Sequence, residues 1–197
     1  MFTRRQQAFV VLFTLIVLSL AGAAYLRVRW VAHAASQFLQ QVKNMPVGKV
    51  SEKQVRDLWQ QYHQYGGLEK CSDEHCELEL HFSNVWISTW RLAPFTDLYG
   101  VFIIDKGVPS AQRVGILTLD DMLDVWEDPP NGDRFKVFSN TPQKLQILLT
   151  SEASLKERMD AYNLNANCLT RLGGCKSTEQ MNRAIGEYKS SGPFFQN

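Results

Sequence analysis

The four cysteines are the residues whose type and spacing could carry chemistry, and they form two local pairs. Cys71 and Cys76 are separated by four residues, and Cys168 and Cys175 by six. A zinc site built from four cysteines uses tighter knuckles of about two intervening residues, and a thioredoxin-like redox pair needs the same short spacing. An even number of locally paired cysteines is typical of disulfides in an oxidising compartment. The spacing favours disulfides Cys71–Cys76 and Cys168–Cys175, with a metal site or unpaired thiols as alternatives.

The histidines and acids form no recognised catalytic motif. Glu77 and Glu79 share one face of a predicted strand, where paired carboxylates could act as acid and base. The acids within residues 120–133 do not follow the ligand pattern of a calcium-binding loop. We therefore expect no catalytic, cofactor-binding or metal-binding residues. The alternative is an enzyme or metal-dependent factor whose site is assembled from distant residues such as Glu79, His81 and the acids near Asp120.

An uncharged run near the N-terminus predicts a membrane helix. It begins at Ala8 and ends at Leu26, and its 19 residues would rise about 28 Å as a helix, close to the ~30 Å hydrocarbon thickness of a bilayer. We expect a membrane anchor over residues 1–30 and a globular domain over residues 31–197. A signal peptide cleaved near Ala23, which would release a secreted soluble domain, is the alternative.

The charge pattern argues against one class of partner but does not fix the orientation in the membrane. The formal net charge is +1 with acids and bases interspersed, so nothing indicates a nucleic-acid partner. Arginines lie on both sides of the apolar run, and the positive-inside rule therefore does not fix the orientation. The cysteine pairs favour a domain outside the cytoplasm. We expect a single-pass protein of the bacterial inner membrane that faces the periplasm and binds another envelope protein.

Hydrophobic periodicity predicts an α+β domain. Apolar residues at helical spacing follow the anchor to about Asn44, and Ser51 with Gln54 forms a capping box that starts a second helix. Alternation of apolar and polar residues then predicts an antiparallel sheet of about five strands, and serine caps predict two C-terminal helices. The predicted strands cover residues 76–82 with an extension over 86–92, and residues 99–107, 111–119, 134–138 and 144–150; the last two helices cover 154–162 and 177–188.

Four tryptophans could form a binding platform: Trp59, Trp86, Trp90 and Trp126. Trp86 and Trp90 share strand parity, so we expect them on one face, where they could bind a sugar or a peptide. Aromatic side chains of this kind more often belong to a core or an interface.

Two resemblances follow from this organisation. Residues 45–59, MPVGKVSEKQVRDLW, are similar to the small outer-membrane barrel-assembly lipoproteins, in which two helices precede a three-stranded sheet. The C-x4-C spacing together with SNVWISTWRLAP (residues 83–94) and NCLTRLGGC (residues 167–175) resembles uncharacterised bacterial single-pass membrane proteins with a disulfide-stapled extracytoplasmic domain. The second resemblance implies the anchored architecture and no activity.

Overall fold

The computed structural model describes residues 4–119, 135–138 and 144–184, and it has the predicted α+β architecture. The helices are α1 (Arg4–Lys43), α2 (Glu52–Tyr62), α3 (Val85–Ser88), α4 (Leu155–Ala161) and α5 (Thr178–Met181). The strands are β1 (Gly67–Cys71), β2 (His75–Ser83), β3 (Phe95–Asp105), β4 (Val108–Leu119), β5 (Phe135–Phe138) and β6 (Lys144–Thr150). Short 3-10 helices cover His63–Tyr65 and Ala166–Thr170.

In the described part of the chain, the strands form one antiparallel sheet of six strands in the order β1-β2-β3-β4-β6-β5. Alternation along β2 is as predicted, because Leu78, Leu80 and Phe82 are buried on one face while the residues between them are half-buried on the other. The strand that the sequence did not indicate is β1. All five of its residues are exposed, so it has no apolar alternation to mark it.

Helix α1 lies across the apolar face of the sheet. The ring of Phe38 packs against Phe82, with ring centroids 5.3 Å apart, and against Phe102 at 6.2 Å. It also covers Gly100, where a Cβ atom would lie 2.6 Å from the Phe38 Cζ. A glycine in the middle of β3 therefore lets the helix approach the sheet closely. Tyr62 from α2 completes this aromatic centre.

The two halves of α1 have different surroundings. Residues 4–20 are all exposed, although those from Ala8 onward are almost entirely apolar, whereas buried positions recur from Ala24 to Val42. No break separates the halves, because α1 is one continuous helix from Arg4 to Lys43. α1 is long and apolar enough to cross a membrane by its length and composition. The division into an anchor over 1–30 and a domain over 31–197 stays a prediction.

The prediction of an extended segment over residues 86–92 is wrong. The chain forms α3 and then a turn in which Arg91 has a φ of 54°. Asn84 causes the change of direction: its side-chain amide donates to the Pro94 carbonyl, and its Oδ1 accepts from the Thr96 N–H. These two bonds join the two ends of the segment between β2 and β3. Asn84 is fully buried, so the bonds are shielded from water.

The capping boxes are confirmed at two helices. Ser51 accepts from the Gln54 N–H at the start of α2, and Ser154 accepts from the Glu157 N–H at the start of α4. The third predicted cap, Ser177, accepts from the Gln180 N–H and begins α5. The predicted continuation of that last helix to residue 188 lies outside the described residues.

Candidate functional site

Both cysteine pairs are joined, which fits the local pairing that their spacing predicts. The hairpin disulfide, Cys71–Cys76, links directly opposed residues of β1 and β2. The turn disulfide, Cys168–Cys175, closes the segment that follows the second 3-10 helix, and both of its cysteines are fully buried. Neither pair is available as thiols while these bonds persist.

The surroundings of the hairpin disulfide include charged groups. Glu69 and the two sulfurs lie within 4.8 Å of one another, a grouping that would suit a metal ion if the sulfurs were thiolates. Bonded sulfurs lack that charge, and the Arg56 guanidinium already binds Glu69 at 2.8 Å and Glu52 at 2.7 Å. Arg56 also donates to the Cys76 sulfur. This arrangement attaches α2 to the β1–β2 hairpin and serves a structural role.

Two histidines on the second face of the sheet each lie between two carboxylates. His81 Nδ1 is 2.7 Å from Asp97, and its Nε2 is 3.5 Å from Glu79. His75 repeats the pattern at the other end of β2, with Asp105 at 2.6 Å and Glu77 at 3.6 Å. Sequence parity placed Glu77 and Glu79 on one face, but it could not indicate the aspartates, because they come from β3 through the strand register.

The electrostatics favour protonated histidines. Burial lowers the pKa of His81, but the hydrogen bond and charge of Asp97, together with Glu79, outweigh it, so that the pKa is raised. The hydrogen bond to Asp105 raises the pKa of His75 in the same way. Burial raises the pKa of the Asp97 carboxyl despite the opposing effect of His81, and Asp97 Oδ1 is buried without a hydrogen-bond partner among the described residues.

These contacts limit what the cluster can do chemically. A histidine acting as general base needs an unprotonated nitrogen directed at its substrate, but both ring nitrogens of His81 face carboxylates of the protein itself. The structure brings together Glu79 and His81 of the alternative enzymatic hypothesis. Asp120 and the neighbouring acids lie outside the described residues. Within the described chain, the cluster is a set of internal ion pairs.

The outer edge of β1 is exposed along its whole length. β1 is the first strand in the sheet order, and no described strand pairs with its other side. The backbone N–H of His81 donates to the Gly66 carbonyl, and the backbone N–H of Ser72 donates to the His75 carbonyl. These two bonds set the alternation of the β1–β2 ladder. By that alternation, the N–H and C=O groups of Glu69 and Cys71 point away from β2. This exposed edge is suited to pairing with another extended chain.

A second exposed surface lies where α1 leaves the body. Phe38 of α1 lies over Gly100. Just after α1, the Met45 carbonyl accepts from the side chain of Gln112, near the beginning of β4, so α1 runs from Gly100 toward Gln112. The residues before Phe38 therefore run toward the opposite end of the sheet. Ala24 lies about 21 Å back along the helix, and the sheet continues only about 17 Å beyond Gly100 in that direction. The helix contacts α3 and the second 3-10 helix there.

That end of the body carries large apolar side chains of which about half or more of the surface is exposed. Trp86 is 54% exposed, Trp90 45% and Leu172 64%. Leu172 belongs to the turn closed by the turn disulfide, and this turn lies against Thr118 of β4 and Pro94 before β3, since a Cβ at Gly174 would lie 2.5 Å from Thr118 and 3.0 Å from Pro94. We call the set Trp86, Trp90, Leu92 and Leu172 the apolar rim. The two tryptophans predicted to share a strand face lie in a helical turn and loop instead.

Comparison with known proteins gives no relative for this chain. No protein-family model, no curated protein and no solved structure matches it.

Proposed function

We propose that this chain is an anchored envelope protein whose disulfide-bonded body binds an extended segment of another envelope protein at the outer edge of β1. The apolar first half of α1 would hold it in the membrane, and the two disulfides support a body on the oxidising side, such as the periplasm. The role of the body is binding rather than catalysis. The observation that carries the proposal is the exposed backbone of Glu69 and Cys71.

The edge of β1 offers both backbone and side-chain recognition. The outward N–H and C=O groups of Glu69 and Cys71 would form ladder hydrogen bonds with an added strand. Leu68, which is exposed on the second face, would add an apolar contact. The hairpin disulfide and Arg56 fix the strand against β2 and α2, so that little ordering would be needed on binding.

The test compares two substitutions at the same residue. Proline at position 69 removes an N–H that points away from β2, which leaves the β1–β2 ladder intact but blocks an added strand. Alanine at the same position removes the carboxylate and keeps the N–H. With a photocrosslinking amino acid at Leu68 in native envelopes, we expect a crosslinked partner that persists in Glu69→Ala and disappears in Glu69→Pro. An adduct that is unchanged in Glu69→Pro would contradict pairing at this edge.

One observation favours the secreted alternative. Ala24, the first buried residue of α1, immediately follows the small residues at 21–23 that could form a cleavage site. Cleavage after Ala23 would leave every buried residue of α1 in the mature body. The intact mass of the protein from its native host separates the two: the full-length mass supports the anchor, and a mass starting at Ala24 supports secretion.

A further inference from the structure

We propose that the apolar rim is seated in the interface of the same bilayer that α1 enters, so that the folded body contacts lipid directly as well as through its helix. The inference rests on the anchoring proposed above. Its occupant is the headgroup and upper acyl region of the membrane, and it would give the body a fixed height above the lipid.

The position of α1 leaves no spacer between membrane segment and body. The apolar run ends at Leu26, whereas the packed part of the helix already begins at Ala24, which is only 6% exposed. The body therefore packs against one side of α1 before the apolar run has ended. The polar interface of a bilayer is about 5–8 Å thick on each side of the hydrocarbon core, so side chains at this end of the body fall within it.

The side chains of the rim are those that such an interface favours. Tryptophan concentrates at the boundary between acyl chains and headgroups, because its ring is apolar and its N–H is polar. Trp86 and Trp90 are half exposed, and Leu92 and Leu172 extend the same apolar end. Trp30 on the exposed side of α1 lies one to two turns beyond Ala24 and would meet the same layer.

Cationic side chains accompany the rim. Arg91 lies between Trp90 and Leu92, and Arg171 precedes Leu172; both are exposed. Arg171 also donates to Gln180 and to the Cys175 sulfur, which ties it to the turn disulfide. Long basic side chains can keep their charge among phosphates while their methylene groups contact acyl chains. The chemistry of this end therefore fits lipid headgroups better than bulk water.

The opposite end of the sheet serves as an internal control. Val108, the first residue of β4 after the turn from β3, is 58% exposed and thus also apolar and solvent-facing. β3 extends from Phe95 to Asp105, which separates the two ends by about 33 Å. Nonspecific association of exposed apolar side chains with lipid would be detected at both ends of the sheet, whereas the proposed seating involves the α3 end alone.

The experiment uses the full chain reconstituted into bilayers with or without brominated acyl chains, which quench nearby tryptophan emission. In a Trp30→Phe background we expect emission to fall with brominated lipid, and the loss to disappear after further Trp86→Phe and Trp90→Phe substitution. Adding Val108→Trp to that last variant should add emission that brominated lipid does not quench. Bilayers with and without anionic lipid are compared: quenching in both supports apolar seating, and quenching only with anionic lipid supports seating assisted by Arg91 and Arg171.

Two negative results have different meanings. If carbonate extracts the full chain from the membrane, the anchoring fails and the seating fails with it. If the protein stays in the membrane but brominated lipid quenches Trp86 and Trp90 no more than the tryptophan at position 108, the seating is overturned while the anchoring stands. In the second case the apolar rim would be accessible to a protein partner instead.

Discussion

The contact between α1 and the sheet at Gly100 can be tested by filling the space above the glycine. In Gly100→Ala the new Cβ would lie 2.6 Å from Phe38 Cζ and 2.8 Å from Cε1, about 1 Å inside ordinary carbon–carbon contact. Overpacking of a close-packed core costs about 1–3 kcal/mol. The greater strand preference of alanine offsets about 0.5–1 kcal/mol of that cost. We therefore expect the free energy of unfolding to fall by about 1 kcal/mol, and by at most about 2.5 kcal/mol.

A second substitution shows whether Phe38 causes the loss. Phe38→Leu removes part of the ring and should cost about 1–2 kcal/mol alone, but it gives the alanine methyl group room. The double variant should then be more stable than the sum of the two single effects predicts, by about 1 kcal/mol. Urea unfolding of the full chain in detergent, followed by tryptophan emission, measures all four proteins.

The matched control is Gly173→Ala, where the nearest heavy atom to a new Cβ, other than its chain neighbours, is Lys176 Cε at 3.8 Å. It should leave the unfolding free energy nearly unchanged. Strictly additive losses in Gly100→Ala and Phe38→Leu would refute the close approach of α1 to β3.

Three further expectations follow from the structure. The hairpin disulfide should be reduced before the turn disulfide, because Cys71 is exposed while both cysteines of the turn disulfide are buried. Alkylation and mass spectrometry along a dithiothreitol series give the order. Each disulfide closes a short loop and contributes about 2 kcal/mol to the unfolding free energy in the chain-entropy model. The raised pKa of His81 means that its ion pairs stabilise the fold fully below about pH 6.5, the pKa of an unfolded histidine, and less as the pH rises through the folded value. The unfolding temperature should therefore fall above that pH, and less steeply in His81→Gln; equal slopes would show that His81 does not titrate with folding. Asn84→Ala should lose about 1–3 kcal/mol of unfolding free energy by leaving the Thr96 N–H unbonded in the core, and a thermal shift below 1 °C would argue against that role.

The fold was largely predictable where local rules act alone. The capping boxes at Ser51 and Ser154 and the alternation of β2 depend on residues within a few positions of one another, and the structure has them as expected. β1 has no such signal, because a strand exposed on both faces needs no apolar residues. Its pairing depends on the turn at residues 72–74 and on the hairpin disulfide, so it follows from register rather than from pattern.

The candidate surfaces were harder to predict for the same reason. The strand parity of Trp86 and Trp90 indicated a shared face, but the buried side chain of Asn84 redirects the chain before that parity applies. The pairing of His81 with Asp97 joins residues of different strands through their register. Only the structure shows that the apolar rim lies where α1 leaves the body, because that position depends on the direction in which the helix crosses the sheet.

The unbroken course of α1 has a consequence for movement of the whole molecule. A helix without a hinge transmits any tilt of its lipid-embedded half to the sheet that packs on its other half. Bilayers of different thickness change the tilt of such helices, and a rotation of about 10° would displace the far end of the sheet by roughly 6 Å. The thickness of the surrounding lipid would then determine how far from the membrane, and at what angle, the β1 edge meets a neighbour.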